Sequence, residues 1–406
     1  MPRIRIAPSL AAAVVAAAAA PAFAVESCEL NGEHVNPNNG NTTAGKTGLM
    51  RCRDGDGGPV VREQELKGGV FMGVVRSFDG KDGALLKEYR VNEKGNRDGL
   101  AREYERPSPG ARPVLVREET YRNGSSVGLV RTWYATGAAR RVTFYGDDGR
   151  EQAFAEFTAD GKLYELRCAP RPVLAPYADD AKWCGHAGGA SEVVLFNGKG
   201  EAKAKVVYER GERRKSDFLA AGVVREQRET SESGGVERAF YENGAKRREV
   251  QWSALGGDRN RRVTTLEQEF HESGKLVHEK RWRVGERGGE LVLEQHWYLN
   301  GQPRDRTDYA AGADGKALRT EIAYFDNGRK ASEGSWRIAA DGARFGRGES
   351  LPTGTHRSWD SDGRLRGETV YDERGRLTRE REIDASGQVV RDDEVFEDGS
   401  RKALAR

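Results

Sequence analysis

Several short motifs in this sequence have the residue types for chemistry. Gly40 to Thr47 reads G-N-T-T-A-G-K-T, the full consensus of a loop whose amides, Lys and Thr would hold a nucleotide phosphate and its magnesium ion. Such a cradle needs a buried strand leading in and a helix leading out, so that amides and helix dipole converge on the anion. Here the approach is Asn36-Pro37-Asn38-Asn39 and the exit is Gly48-Leu49-Met50-Arg51-Cys52. Neither fits, so a surface loop is expected. Gly124-Ser125-Ser126-Val127-Gly128 matches the G-x-S-x-G elbow of a nucleophilic Ser, which sits on a strand-to-helix turn. The parallel stretch Gly95-Asn96-Arg97-Asp98-Gly99 has Arg in place of Ser126, and both lead into strand-like sequence, so Ser126 is read as a turn residue. Asp54, Asp56 and Glu65 fall at positions 1, 3 and 12 of a calcium loop, but Gly58 and Pro59 occupy its fifth and sixth positions. His271 and His278, seven apart, lack the spacing of a helical zinc pair, and the six His are read as surface residues. Asp392-Asp393 is read as solvated charge. No catalytic residue, cofactor or metal follows from these patterns, and a hydrolase remains the least favoured class, with His34 and the nearby Asp residues its only locale.

What would position such groups begins with the compartment. Arg3 and Arg5 precede an apolar run from Leu10 to Ala20 and an A-x-A site at Ala22-Phe23-Ala24, the pattern of a secretory signal peptide over residues 1–24. No other stretch approaches the 18 apolar residues of a membrane-spanning helix. Export, to the periplasm or the medium, brings the chain to an oxidising space, so the four Cys are read as two disulfides. Pairing local in sequence, Cys28 with Cys52 and Cys168 with Cys184, is expected, each worth about 3 kcal/mol in the chain-entropy model. With 67 Lys and Arg against 64 Asp and Glu, the chain is nearly neutral, which excludes a strongly basic nucleic-acid binder. Beyond residue 24, Leu, Ile, Val and Phe make up only about 18 per cent, below the roughly 20 per cent that usually accompanies a packed core. Without high net charge, this does not mean disorder.

The order comes from a repeat. An aromatic residue is followed four positions later by Gly at Trp133/Gly137, Tyr145/Gly149, Phe157/Gly161, Phe240/Gly244, Phe270/Gly274, Trp297/Gly301, Tyr324/Gly328, Trp359/Gly363 and Tyr371/Gly375. A second aromatic falls eight residues after Gly at Tyr145, Trp252, Trp282, Tyr309, Trp336 and Tyr371. Six of the seven Trp hold one of these places, and Trp183 does not. Upstream runs G-x-x-R-x-aromatic, as in Gly73 to Phe78, Gly99 to Tyr104, Gly128 to Trp133, Gly235 to Phe240 and Gly354 to Trp359. Asn-Gly and Asp-Gly give the positive φ of tight turns, and the segments between them alternate, so each unit is a strand plus a turn. Neither strand face is continuously apolar. The expected fold is all-β: an elongated antiparallel meander of hairpin repeats whose aromatic row is its main apolar contact, decorated by cross-strand Arg/Glu pairs, with short loop regions closed by disulfides.

The Tyr-x-Asn-Gly and aromatic-x3-Gly patterns, above all Tyr121-Arg122-Asn123-Gly124 through Trp133-Tyr134 and Tyr324-Phe325-Asp326-Asn327-Gly328, resemble the bacterial MORN-variant repeat of YwqK-family antitoxin proteins. The resemblance covers roughly 61–166 and 194–406 and implies a repeat-built antiparallel sheet that binds another protein. The expected organisation is a leader at 1–24, a disulfide-closed loop region at 25–59, a first repeat block at 60–166, a Pro-rich disulfide interlude at 167–191 and a second block at 192–406. The expected role is that of an exported, non-enzymatic binder of a protein, such as an antitoxin- or immunity-like partner of a toxin. An envelope scaffold touching peptidoglycan or another surface polymer is the alternative. Trp133, Trp252, Trp282, Trp297, Trp336 and Trp359 are the candidate binding aromatics.

Overall fold

The computed structural model describes residues 26–286, 288–311, 317–338 and 350–404, so the leader expected at 1–24 lies outside the described residues. The chain divides into two compact units, 1–151 and 152–406. The first runs β1 (Glu26–Leu30), β2 (Glu33–Val35), α1 (Gly40–Thr43), β3 (Gly48–Asp54), β4 (Val60–Lys67), β5 (Val70–Phe78), β6 (Leu85–Val91), β7 (Gly99–Glu105), β8 (Val114–Arg122), β9 (Ser125–Trp133) and β10 (Ala139–Tyr145). β1 pairs with both β2 and β3, and from β3 each strand pairs with the next. In the second, β11 (Glu151–Phe157) and β12 (Leu163–Arg167) form a hairpin, followed by α2 (Asp180–Trp183). A meander in unbroken order follows: β13 (Ser191–Phe196), β14 (Ala202–Glu209), β15 (Glu212–Ala220), β16 (Val223–Thr230), β17 (Gly234–Phe240), β18 (Lys246–Leu255), β19 (Asp258–Phe270), β20 (Leu276–Gly285), β21 (Gly288–Trp297), β22 (Pro303–Ala311), β23 (Ala317–Tyr324), β24 (Lys330–Ile338), β25 (Ser350–Trp359), β26 (Leu365–Tyr371), β27 (Leu377–Ile383), β28 (Val389–Val395) and β29 (Arg401–Ala403). The expected antiparallel meander of hairpin repeats is the fold.

Its turns are of two kinds. Asn31-Gly32 and Asn123-Gly124 have positive φ at both residues, as a two-residue hairpin turn with matching twist requires. The aromatic-x3-Gly turns differ, because only the Gly is left-handed. At Gly244, φ is +82°, and its amide donates to Tyr241 O at 3.1 Å while Tyr241 N donates to Ala245 O at 2.8 Å. Asn243 therefore serves through its side chain: Oδ1 accepts from Ala245 N, and Nδ2 donates to Glu272 O in the next such turn, at 3.0 Å. Asn300 reaches Asp326 O and Asn327 reaches Ser361 O in the same way, while Tyr241 and Tyr298 hydroxyls donate to Phe270 O and Tyr324 O. In the second unit the aromatic-x-Asn-Gly turns at Tyr241, Tyr298 and Phe325 are thus clamps from one repeat to the next, whereas Tyr121-Arg122-Asn123-Gly124 is a hairpin turn whose Tyr hydroxyl donates to Glu119.

The Arg of the G-x-x-R-x-aromatic signature has a second structural task. Register places Arg51, Glu63, Arg76, Glu88, Arg102, Glu118 and Arg131 in one row across β3 to β9. Arg76 binds Glu88 at 2.6 Å and Glu63 at 3.3 Å, and Arg102 binds Glu118 at 2.9 Å. Burial raises the Glu118 pKa, but Arg102 and Arg131 outweigh it and hold the carboxyl below its ordinary value. In the second unit one row spans β14 to β28: Lys205, Asp217, Gln227, Arg238, Glu249, Gln268, Glu279, Gln295, Arg306, Ile322, Glu333, Arg357, Glu368, Arg381 and Asp392. Amides and one Ile replace ions in its middle.

Apolar burial is local. In the first unit Cys28 and Cys52 face each other across β1 and β3, bonded as a disulfide, and pack with Leu30, Val35, Met50 and Leu66. The segment expected as a loop region therefore holds three strands and a small core. In the second unit Cys168–Cys184 closes the interlude, where Leu166, Leu174, Val206 and Tyr208 are fully buried. Asp180, itself buried, accepts from Val173 N and Leu174 N, and the Tyr208 hydroxyl donates to Leu166 O at 2.7 Å. Beyond Val263, no apolar side chain among the described residues is fully buried.

Candidate functional site

Strand parity sorts the candidate aromatics. Residues two apart share a face, so Trp297, two beyond Gln295, and Trp359, two beyond Arg357, lie on the side of the charged row, as do Phe240 and Phe270. Trp252, Trp282, Tyr309 and Trp336 stand an odd number of positions from that row, at Glu249, Glu279, Arg306 and Glu333, and so face the other way. The expected single aromatic row is two rows on opposite faces of the second sheet. None of the six candidate Trp is fully exposed. Trp133, in the first unit, carries the Arg131 guanidinium 5.2 Å from its ring centre. Trp252 is 8% exposed, with Arg262 at 4.3 Å, and its ring lies over Gly235, where a Cβ would come within 2.6 Å of Cζ2. Trp282 opposes Leu291, Trp297 opposes Pro303, and Lys330 approaches the Trp359 ring at 5.8 Å. These are packing positions, and Trp336 alone of the six lines a sizeable hollow among the described residues.

That hollow lies on the face opposite the charged row and has a sequence cause. One cross-strand row reads Asp305, Ala323, Ser332, Ser358, Gly367, Glu382 over β22 to β27. Four successive small residues between two acids, with Gly334 one position along β24, leave a space of about 560 Å3. Its polar and ring-bearing walls include Trp336, His356, Glu321 and Glu380. A bulge between Glu333 and Ser335 breaks the β24/β25 pairing, and His356 Nε2 sits 2.8 Å from Ser335 O and 3.1 Å from Ser335 N. The same imidazole lies 4.7 Å from the Trp336 ring and 4.8 Å from Tyr371, joining three rings across three strands. On the reverse face of the same strands, Arg357 binds Glu368 at 2.9 Å and Glu333 at 3.2 Å, pairs that raise its pKa; Glu333, held first by Lys330, is lowered. A cavity of this size, with rings and fixed charges converging, suits a side-chain cluster or a small ligand.

No family model matches this chain. No curated protein matches it either. Chains in the crystal structures of TcdB2-TccC3-TEV, TcdB2-TccC3-Cdc42 and TcdB2-TccC3 align with 88%, 88% and 89% of it, at TM-scores of 0.13, 0.12 and 0.11 and identities of 10%, 10% and 11%. This chain spans 23–25% of their length. So loose an agreement supports no conclusion about fold or role.

The other motifs resolve into structure. Asn39 caps the single turn of α1, Lys46 pairs with Glu33 at 2.7 Å, Thr47 accepts from Gly68 N, and a strand rather than a helix follows. Ser126, read as a turn residue, is the second residue of β9, and its hydroxyl donates to Glu119, which Arg117 and Tyr121 also hold. The turn itself is Asn123-Gly124. Glu65 accepts from Val74 N, and Asp54, Asp56 and Glu65 form no ligand cluster among the described residues. Asp392 is buried against Arg379 at 2.8 Å, not solvated. The reading of every His as a surface residue also fails: His278 and His296 stack face to face in the half-buried interior of one sheet face. They are 18 apart, and only the register of β20 and β21 makes them opposite.

Proposed function

We propose that this chain is an exported, non-enzymatic repeat protein that recognises another protein through the face of its second unit opposite the charged row. The hollow beside Trp336, His356 and Tyr371 carries this reading. Interface centres are enriched in Trp and Tyr beside pockets, and here Trp336, in the wall of the hollow, and Tyr371 both pack on His356, which joins the two rings on this face. Export is supported by the leader pattern at 1–24, and two disulfides suit an oxidising compartment. An antitoxin- or immunity-like role is the sharper form, and it rests on the resemblance to YwqK-family repeats alone.

Capture from the periplasm or culture fluid with processed protein, beside the Trp336→Ala/Tyr371→Ala double variant, tests the proposal. The expected result is a protein partner retained by the parent and lost by the variant. An identical protein set on both baits would sink it. Carbohydrate stacking on the same rings is the reading behind an envelope scaffold, and recovery of cell-wall material alone, lost with the same two rings, would favour it.

A further inference from the structure

The geometry points to a divalent transition-metal site on the second unit formed by His278, His296 and Glu294. The two imidazoles occupy directly opposed positions on β20 and β21, with ring centres 4.2 Å apart and planes within 8°. Glu294 lies two residues before His296, on the same face, and its Oε1 is 3.0 Å from His278 Nε2. One donor atom from each of the three lies within 4.8 Å of the others.

The outer contacts favour a metal over a bare charge pair. Asp305 Oδ1 sits 2.5 Å from His296 Nδ1, which fixes that nitrogen as the donor and leaves Nε2 free for a metal, the carboxylate–histidine arrangement that orients metal ligands. His278, His296 and Glu294 have side chains 20%, 27% and 25% exposed, partly buried yet open to an incoming ion. Two imidazoles and a carboxylate suit zinc, copper or nickel better than calcium or magnesium. Metal–nitrogen bonds of about 2.0–2.1 Å require donors roughly 3.4 Å apart, and each nitrogen lone pair lies in its ring plane, so binding requires side-chain rotation that opens the parallel stack until both planes meet at the ion. Lys280 Nζ lies 3.2 Å from Glu294 Oε1 and is the competing cation that the ion would displace.

Zinc titration of the processed protein by calorimetry tests this. The expected result is one ion per chain at this site, with affinity falling at least about 10-fold on Asp305→Asn, the size of effect seen for outer-sphere partners. The His278→Ala/His296→Ala double variant should abolish binding. Lys280→Met should tighten it, a gain that a purely structural role for the His pair would not produce. Cobalt(II) should give the visible absorption of a low-coordinate site in the parent and not in the double variant, with circular dichroism confirming that the variant keeps its β spectrum. His271→Ala, on an exposed turn, serves as the control and should leave the titration unchanged. Equal zinc heats in parent and double variant, or no saturable binding to the parent, would overturn the assignment.

Discussion

The opening of the second unit and its later strands solve the same problem by different means. From Leu166 to Tyr208 a disulfide, a buried Asp180 and fully buried apolar side chains make a small conventional core. From β20 onward no apolar side chain among the described residues is fully buried, and a row of paired charges runs through the sheet with rings on both faces. The sheet therefore need not be covered by a second layer. Its strands hold through main-chain pairing, turn-to-turn clamps and fixed ions, which frees one face to carry the hollow.

Loss of apolar volume should separate the two regions most. Leu174→Ala should cost about 2–5 kcal/mol, the range for a fully buried Leu, whereas Ile322→Ala, half-buried in the charged row, should cost under about 2 kcal/mol. Urea unfolding of each variant measures both, and equal losses would mean that the later strands hide a core of their own. Opening Cys168–Cys184 by Cys168→Ser/Cys184→Ser should cost about 3 kcal/mol for a closed loop of this length. Mild proteolysis should then cut first within 167–191, and cleavage starting in β24 to β28 instead would reverse the proposed order of stability.

Ring packing should have the next largest effect. Gly235→Ala forces a Cβ to 2.6 Å from Trp252 Cζ2 and equally close to Glu229 O, an overpacking that should cost about 1–3 kcal/mol. Gly244→Ala meets no atom but needs φ near +82°, and about 1 kcal/mol is expected. A larger loss at Gly244 than at Gly235 would move the weight from ring packing to turn geometry.

Most of this architecture is readable from spacing because a strand-and-turn repeat writes itself at fixed intervals. The Gly of each turn, the two Cys pairs and the all-β class follow from local chemistry alone. Faces and neighbours do not. Trp282 and Trp297 are both ring positions of the repeat, yet a difference of one in parity puts them on opposite sides. His278 and His296, or Ala323, Ser332, Ser358 and Gly367, become neighbours only through a register that bulges shift residue by residue. The Arg in the repeat signature was visible as a pattern, but its acid partners lie on the adjacent strands.

Breaking the charged row should have a smaller effect. Arg357→Met leaves Glu333 and Glu368 without their shared cation and should cost about 1 kcal/mol, because the guanidinium is substantially solvated. Salt should weaken the parent in this region more than the variant, which lacks both Arg357 pairs and keeps only Lys330 on Glu333. Hydrogen exchange of β24 to β26 at low and high salt reads this directly, and an unchanged salt response in the variant would show the row to be ornamental.

The smallest effect is expected at Glu249, where acid should erase it. Burial raises this carboxyl's pKa, but Lys246, Gln251 and Arg238 together outweigh it and lower it to about 2 from an ordinary 4.5. The folded state therefore holds the charged form more tightly than the unfolded chain does, so the stabilisation is complete above pH 4.5 and disappears as pH falls towards 2. Glu249→Gln should cost about 1 kcal/mol at neutral pH after solvent screening and nothing at pH 2. The two unfolding curves should converge across that window, whereas a constant gap would mean that Glu249 acts through shape and hydrogen bonding rather than charge. The adjoining Gln268, which binds Glu279 at 2.6 Å, shows what an amide does in the same row. It donates a hydrogen bond without adding a charge of its own, and the second unit's mixed row, with fewer ion pairs to lose, should tolerate acid better than the unbroken alternation from Arg51 to Arg131.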